Sequence, residues 1–544
     1  MTATGVMGQA LDHLRRLPTT AREANVLRRS GLAPLNHPDQ VAFSLVAMRQ
    51  WGMVAGAVRI AARHHPEAVG LVDEIGRLTF RELDERSSAL ARAWQRQGLD
   101  DTSVIALLCR DHRGMVDALF AAGKIGARAL LMNTGFAKPQ FAQVAERESV
   151  SALVYDSEFT DILGDVPDSI PRNLAWVEDG TEPRHETLDS LIAGSDPAPL
   201  HRPNSVGGLV LLTSGTTGTP KGAPRQIRSP FAAAQFLDRI PLRPEEHTFF
   251  GAPLFHATGL SQFLLTMAMG STTIVRRRFD PTATLAALAE HRAEVLVVVP
   301  TMLQRLVKLP DEVIRSYDTS ALRIVFSAGS ALPPDVGNRA TELFGDVVYN
   351  LYGSTEVAVA TVATPEDWRT APGTVGRAPV GCRVALYDQQ GRAVTTANCV
   401  GRVFVGSGLR FTGYTGGGTK DQIDGLLSSG DVGHFDDAGL LFIDGRDDDM
   451  IVSGGENVFP AEVEGLLVEH PDVADAAVIG VPDDEFGQRL KAFVVLRAGH
   501  DIGADELRDH VRSNLARHKV PRDIEFRDEL PRNATGKLLR KELR

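Results

Sequence analysis

The run Thr213-Ser214-Gly215-Thr216-Thr217-Gly218-Thr219-Pro220-Lys221-Gly222 combines glycines, hydroxyls and one lysine. Glycines let backbone N–H groups converge on an anion, hydroxyls add donors, and lysine supplies a mobile positive charge. That chemistry is a grip on polyphosphate. It is not a Walker A loop, which places Gly immediately before Lys and Ser or Thr after it. Here Pro220 precedes Lys221 and Gly222 follows. A surface turn of the same composition seldom gathers so many donors beside a buried strand. Residues 206–213, apolar or small throughout, read as that strand.

The elements that must hold this loop follow from length and pattern. At 544 residues the chain exceeds one ordinary core, so two or more domains are expected. Apolar content of 43% and charged content of 23% are those of a soluble globular protein. Cys109, Cys382 and Cys399 are too widely spaced for a disulfide framework or a metal cluster, which points to a reducing, cytoplasmic setting. A net charge of −11 argues against nucleic acid as a partner. The first thirty residues mix Arg and Glu and lack a signal-peptide pattern. No uninterrupted apolar run reaches the ~18 residues of a membrane span.

From residue 68 the pattern alternates. Residues 68–72 read as a strand and 73–77 as a turn, and Thr79 with Glu82 forms an S/T-x-x-E helix start. Residues 104–108, 129–132, 152–155, 295–299 and 322–326 read as buried strands, with a helix over 114–126. Repeated βα units imply parallel sheets covered by helices. Short runs between glycines over 376–439 suggest a small β subdomain. Beyond Asp448, residues 462–467, 473–479, 491–496 and 505–516 suggest a compact α+β unit behind a Gly- and Asp-rich hinge. The expected fold class is α/β. A large N-terminal domain (56–446) of parallel, helix-covered sheets includes the β subdomain (about 376–444). A small mobile α+β C-terminal domain (447–544) follows, and residues 1–55 form an N-terminal extension.

Further motifs follow the first in a set order: Tyr352-Gly353-Ser354-Thr355-Glu356, Ser429-Gly430-Asp431, Gly445-Arg446-Asp447-Asp448-Asp449 with Ser453-Gly454-Gly455-Glu456-Asn457, and Asn533-Ala534-Thr535-Gly536-Lys537. From about residue 60 to the end, this set resembles the adenylate-forming superfamily of acyl-CoA synthetases, luciferases and nonribosomal adenylation domains. Within it the chain looks like a fatty acyl-CoA synthetase. The resemblance implies ATP, Mg²⁺ and coenzyme A, and a two-step reaction. A fatty acid carboxylate attacks the α-phosphate of ATP, pyrophosphate leaves, and a thiol then takes the acyl group from acyl-AMP.

Residue by residue, the resemblance implies that Thr213, Ser214, Gly215, Thr216, Thr217, Gly218 and Lys221 hold the phosphates. Thr213 and Glu356 are the Mg²⁺ contacts, hard oxygens suited to that ion. Tyr352 stacks on adenine, with Gly329, Ser330 and Ala331 as the facing wall, Asn350 at the adenine amine, and Gly353, Ser354 and Thr355 shaping the site. Asp431 accepts the ribose hydroxyls and Arg446 donates to the same sugar. Lys537 is the catalytic cation of adenylation, a compact mobile charge suited to a developing phosphorane. Asp448 is the hinge, and Gly454, Gly455 and Glu456 line the pantetheine path. His256 matches a position near the acyl carboxylate, as a positioning group and not a base, because a carboxylic acid is already ionised at pH 7.

The acyl pocket is expected from His256 and Gly259 on one side and Val357 and Ala358 on the other. No charge in the run after Glu356 would pair with an amino group, which disfavours amino acids and favours an apolar acid. Rival readings are an acyl-AMP ligase that loads a carrier protein, a luciferase-type oxygenase, and a nucleotide-binding regulator without catalysis. The extension is less legible. Residues 51–62 are apolar with one Arg, and could lie on a membrane surface or pack under the protein itself. Residues 1–65 are therefore a candidate for peripheral membrane contact, at the inner face of the membrane, and the chain a candidate homodimer.

Overall fold

The computed structural model describes residues 19–34, 36–136, 138–213, 221–225, 230–408, 420–447, 449, 451–453, 456–483, 487–515, 519–533 and 536–543. Continuous apolar runs such as Val104–Leu108 and Ala152–Asp156 form strands buried along their whole length, the signature of parallel sheets covered on both faces. One sheet has six strands in the order Arg172–Trp176, Ala152–Asp156, Val104–Leu108, Arg128–Leu131, Leu209–Thr213, Lys221–Arg225. It is parallel until the last pair, an antiparallel hairpin that sets Thr213 opposite Lys221. The second sheet has eight strands. Its order is Ala358–Ala363, Val348–Ser354, Ile324–Ala328, Val295–Val298, His247–Phe250, Thr272–Val275, Val69–Asp73, Gly76–Thr79, with antiparallel pairs only at its two edges.

Local chemistry sets the element ends. Thr79 caps the helix Phe80–Arg96: its hydroxyl accepts from the Glu82 N–H, and the Glu82 carboxylate accepts from the Thr79 N–H at 2.7 Å. Gly126, left-handed at φ 81°, ends the helix Arg113–Ile125. The helices Arg113–Ile125 and Ala257–Ala268 meet in the main core, where the Phe120 and Phe263 rings stack at 5.7 Å. The strand expected over 206–213 begins only at Leu209. A β-carbon on Gly207 would lie 2.1 Å from the Ala127 carbonyl oxygen, so the backbone passes too close there to pleat.

Two smaller units complete the fold. Arg383–Tyr387, Ala393–Val394, Gly401–Gly406, Gln422–Ile423, Leu426–Phe435 and Leu441–Arg446 form an antiparallel sheet. The C-terminal unit carries a largely antiparallel sheet of Ile451–Ser453, Glu456–Val458, Val473–Asp483, Gly487–Leu496 and Asp523–Phe526, with the helices Pro460–Glu469 and Ala504–Asn514. It has its own core around Val463, Leu467, Val478 and Val494.

The N-terminal extension is built into the body. Residues 19–29 are helical, and Pro38–His64 is a second helix interrupted at Gly52 (φ 71°, ψ −173°). By length and mean hydropathy, 1.3, this helix is apolar enough to cross a membrane. It nevertheless breaks at Gly52 and buries Trp51, Ala55, Val58, Ile60 and Ala61 on its own protein. Of the two expectations for residues 51–62, intramolecular packing is the one observed. The Gly52 conformation is one that residues with a side chain essentially do not adopt, at a cost of about 1–3 kcal/mol, and a β-carbon there would lie 2.4 Å from Val206 Cγ1. Gly52→Ala should therefore cost about 2 kcal/mol or more, read as a lower urea midpoint. An unchanged midpoint would contradict this account of the break.

Candidate active site

The carboxyl ends of parallel strands are where such sheets present ligands. Gly329 follows the strand Ile324–Ala328 at φ 103°. A β-carbon there would lie 3.4 Å from Val299 Cγ1, 3.5 Å from Thr258 Oγ1 and 3.9 Å from His256 Cε1. Three loops thus converge on one small space. Ser330 and Ala331 continue from Gly329 at the open rim, half-buried and exposed respectively. The register Ala328↔Leu351 puts Gly329 beside Tyr352 on the next strand.

Tyr352 donates its hydroxyl to Asp431 Oδ2 at 2.5 Å, joining the large sheet to the β subdomain. Burial and the neighbouring carboxylate push the tyrosine pKa well up, so it stays a donor. Asp431 is only 9% exposed, and burial raises its carboxyl pKa. Arg446, opposite it in the register, lies 3.4 Å from Oδ1 and pulls the other way. Each carboxylate oxygen of Asp431 thus has one protein neighbour and keeps further acceptor capacity. Above Asp431, a β-carbon on Gly430 would lie 3.3 Å from Arg446 Nη2 and 3.4 Å from Lys420 Nζ. Arg446 is thus the cation paired with Asp431, while Lys420 stands beside Gly430.

Asn350 lies one step below the strand ends and is buried, with its Nδ2 donating to the Thr374 carbonyl at 3.1 Å. That bond uses its amide N–H and ties the sheet to the segment leading into the β subdomain. Gly353 is required where it stands, because a β-carbon would meet the Ala358 carbonyl oxygen at 1.8 Å. The turn it closes carries Thr355 and Glu356. The Ser354 hydroxyl donates to Glu356 Oε2 at 2.9 Å and accepts from the Glu356 N–H at 3.2 Å, fixing the carboxylate at the tip. Among the described residues no three His, Cys, Asp or Glu side chains form a metal cage. One carboxylate at a turn fits a magnesium ion that keeps most of its shell in water and phosphate oxygens.

Two acyl-pocket expectations are corrected. Val357 is buried with Ala360, Val403, Val405 and Leu441 between the large sheet and the β subdomain, so it belongs to a core. Gly259 is also spoken for: a β-carbon would lie 2.3 Å from the Pro253 carbonyl oxygen, so its bareness serves the close approach of the loop that leads into its own helix. Ala358, at φ 60°, forms the turn against Gly353. The space at Gly329 is lined by His256, Thr258 and Val299, among which there is no carboxylate. His256 precedes the helix Ala257–Ala268, and among the described residues its Nδ1 has no hydrogen-bond partner. Burial lowers its pKa and keeps the ring neutral.

Lys537 arrives from the C-terminal unit. Gly536, at φ 76°, packs so closely on the helix Pro300–Val307 that a β-carbon would lie 2.4 Å from Thr301 Oγ1. The Lys537 N–H donates to Asn533 Oδ1 at 2.8 Å, and the lysine charge acts on Asp431. Arg540, beyond it, pairs with Glu464 at 2.9 Å and with Asp449 at 3.5 Å, binding the tail to the hinge region. The expected sites Ser214, Gly215, Thr216, Thr217, Gly218, Asp448, Gly454 and Gly455 lie outside the described residues, as do the side chains of Thr213, Lys221 and Glu456. Sequence reasoning missed Thr258, Val299, Thr301, Lys420 and Asp111. They come from several separate segments, Val299 and Thr301 from one of them, and none carries a local signature.

The chain belongs to the AMP-binding enzyme family: residues 58–415 match the AMP-binding enzyme and residues 462–537 the AMP-binding enzyme C-terminal domain. It is 31% identical over 477 residues to an indoleacetate–CoA ligase of Aromatoleum aromaticum, covering 86% of this chain and 92% of that protein. It is 29% identical over 496 residues to the fatty acid–[acyl-carrier-protein] ligase ScoC of Streptomyces coeruleorubidus, covering 89% and 94%. Among solved structures, the anthranilate CoA ligase AuaEII in complex with anthranoyl-AMP superposes with a TM-score of 0.81 at 25% identity, covering 90% of this chain and 96% of that one. The similarity covers both the body and the C-terminal unit.

The His256 loop hangs on a buried acid. Asp111 Oδ1 accepts the Leu254 N–H at 3.0 Å, and burial raises the Asp111 pKa to about 7. Unfolded, the same group titrates near the ordinary aspartate value of about 4. Its protonated form is therefore favoured by folding, and that contribution is lost as pH rises from about 4 through about 7. Asp111→Asn keeps an acceptor for Leu254 without the buried charge. Its stability advantage over the parent should be larger at pH 8 than at pH 5, read as denaturant midpoints. An advantage that does not change with pH would contradict this assignment.

Proposed function

We propose that this chain is an AMP-forming acid–CoA ligase acting on an apolar carboxylic acid that bears a fatty chain. The observation that supports the reading is the docking of Gly536 on Thr301, in the helix that follows Val299, with the Lys537 charge acting on Asp431. Adenylation brings two anions together, a carboxylate and a triphosphate, so positioned positive charge lowers its barrier. Asp431 and Tyr352 hold the nucleoside with Arg446 beside them, and Glu356 would hold a Mg²⁺ ion, which would supply positive charge to the phosphates. Lys537 bridges the carboxylate oxygen and the α-phosphate. The carboxylate forms a new bond to the α-phosphorus, and the bond to pyrophosphate breaks. Neutral His256 orients the acid without competing for a proton. In the second step the thiol sulfur of coenzyme A bonds to the acyl carbon, AMP leaves with the electron pair, and the thiol proton passes to water.

An apolar acid is supported by the lining of His256, Thr258, Val299 and Gly329, in which no carboxylate stands to pair with an α-ammonium charge. The three free cysteines suit a reducing cytoplasm. A carrier-protein acceptor is the second reading, favoured by the similarity to ScoC. Incubation with ATP, Mg²⁺ and a panel of alkyl and aryl acids, with and without coenzyme A, decides by mass spectrometry. Acyl-CoA with AMP and pyrophosphate is expected, and acyl-AMP that persists in the presence of coenzyme A would contradict the thiol acceptor. Lys537→Ala should slow adenylate formation by about 100-fold or more, yet largely spare thioester formation from supplied acyl-AMP. Equal loss in both half-reactions would contradict the role given to Lys537.

A further inference from the structure

The helix that begins at His256 leads away from the strand ends, and one stripe of it runs Thr258, Ser261, Leu265, Ala268. Thr258 borders the space at Gly329. From Ser261 onward the stripe faces an apolar chamber of about 210 Å³. The opposite wall is supplied by the N-terminal extension, through Leu27, Leu32, Val41, Leu45, Met48 and Met53. All six precede residue 58, where the family match begins, so this wall lies outside the matched region. Among the described residues, the polar side chains that line it are Gln40, Ser44, Ser261, His64 and His65, with no Asp, Glu, Lys or Arg. At 1.5 Å per residue, Thr258 to Ala268 spans about 15 Å.

We infer that this chamber takes the distal hydrocarbon of the acid whose carboxylate lies at His256. The inference rests on the function proposed above and adds a specificity wall to it. Continuity selects this occupant over others. The chamber starts one helical turn beyond Thr258 and follows the same helix face, so a chain held by its carboxylate at His256 extends into it. The apolar lining rejects charged tails, since an unpaired charge there would lose its hydration. At the far end, His64 Nε2 is buried without a partner among the described residues, so a polar atom is tolerated only at the tip of the tail. The extension thus sets the length of acid accepted.

The test is Ser44→Phe, which places a ring in the chamber from a half-buried position on the extension and touches none of the catalytic groups. Two readouts separate this inference from the function it rests on. First, binding of a fluorescent long-chain carboxylic acid is titrated without nucleotide, so that no turnover is required. Second, kcat/KM is compared for a long-chain acid and for butanoate. The expected result is at least tenfold weaker binding of the probe and at least tenfold lower kcat/KM for the long acid, with butanoate within twofold of the parent. Equal probe binding by parent and variant overturns the inference even if the protein is a ligase. Loss of kcat/KM equally for long and short acids also overturns it. Probe binding that Ser44→Phe abolishes, in a protein that adenylates no acid, would uphold the chamber and overturn the ligase function. Unchanged probe binding with reduced binding to phosphatidylglycerol vesicles would assign this surface to a membrane instead.

Discussion

The glycine at 536 against Thr301 is the contact on which the site depends. A lysine on a separate C-terminal unit can serve a nucleotide held elsewhere only if its backbone comes almost into van der Waals contact with the large body. The left-handed turn at Gly536 and the absence of a β-carbon permit that approach. Everything that receives the lysine is built to a matching standard. Asp431 is buried and tied to Tyr352, the Glu356 carboxylate is fixed by Ser354, and Gly329 leaves room among Val299, Thr258 and His256. Positions set before the substrates arrive need no reorganisation during reaction, which is where such sites gain most of their rate.

Burial gives these groups their protonation states without a base or an acid. The Tyr352 hydroxyl is held protonated and the His256 ring neutral. Both stay hydrogen-bonding groups beside the anions they would meet. Positive charge gathers at Asp431, where Arg446 lies 3.4 Å from Oδ1 and the Lys537 charge also acts. Around Gly329, the described neighbours Val299, Thr258 and His256 carry no fixed charge. That asymmetry separates the polar head of an acid from its tail, and the tail side continues into a chamber that the N-terminal extension closes.

The local elements were legible in the residues. The 104–108 strand, the Thr79 cap and the helix ending at Gly126 appear where the pattern put them, because each is fixed by neighbours in sequence. The alternation of strands and helices likewise implied parallel sheets, and those sheets are present. What depends on distant partners was not legible. Val357 and Gly259 look like pocket residues in isolation, yet one packs in a core and the other against a carbonyl. The Tyr352–Asp431 bond joins residues 79 apart, and the buried Asp111 supports a loop 143 residues away. The apolar face of residues 51–62 was visible, but hydrophobic periodicity cannot say whether such a face meets a membrane or its own protein.

The most direct measurement is the rate of each half-reaction in Gly536→Ala. The substitution leaves the lysine and its charge in place and opposes only its docking. Adenylation, followed by ATP–pyrophosphate exchange, should fall at least tenfold, thioester formation from supplied acyl-AMP should stay close to the parent, and Thr301→Ala in the same chain should restore part of the exchange. Exchange at the parental rate in Gly536→Ala would contradict the account.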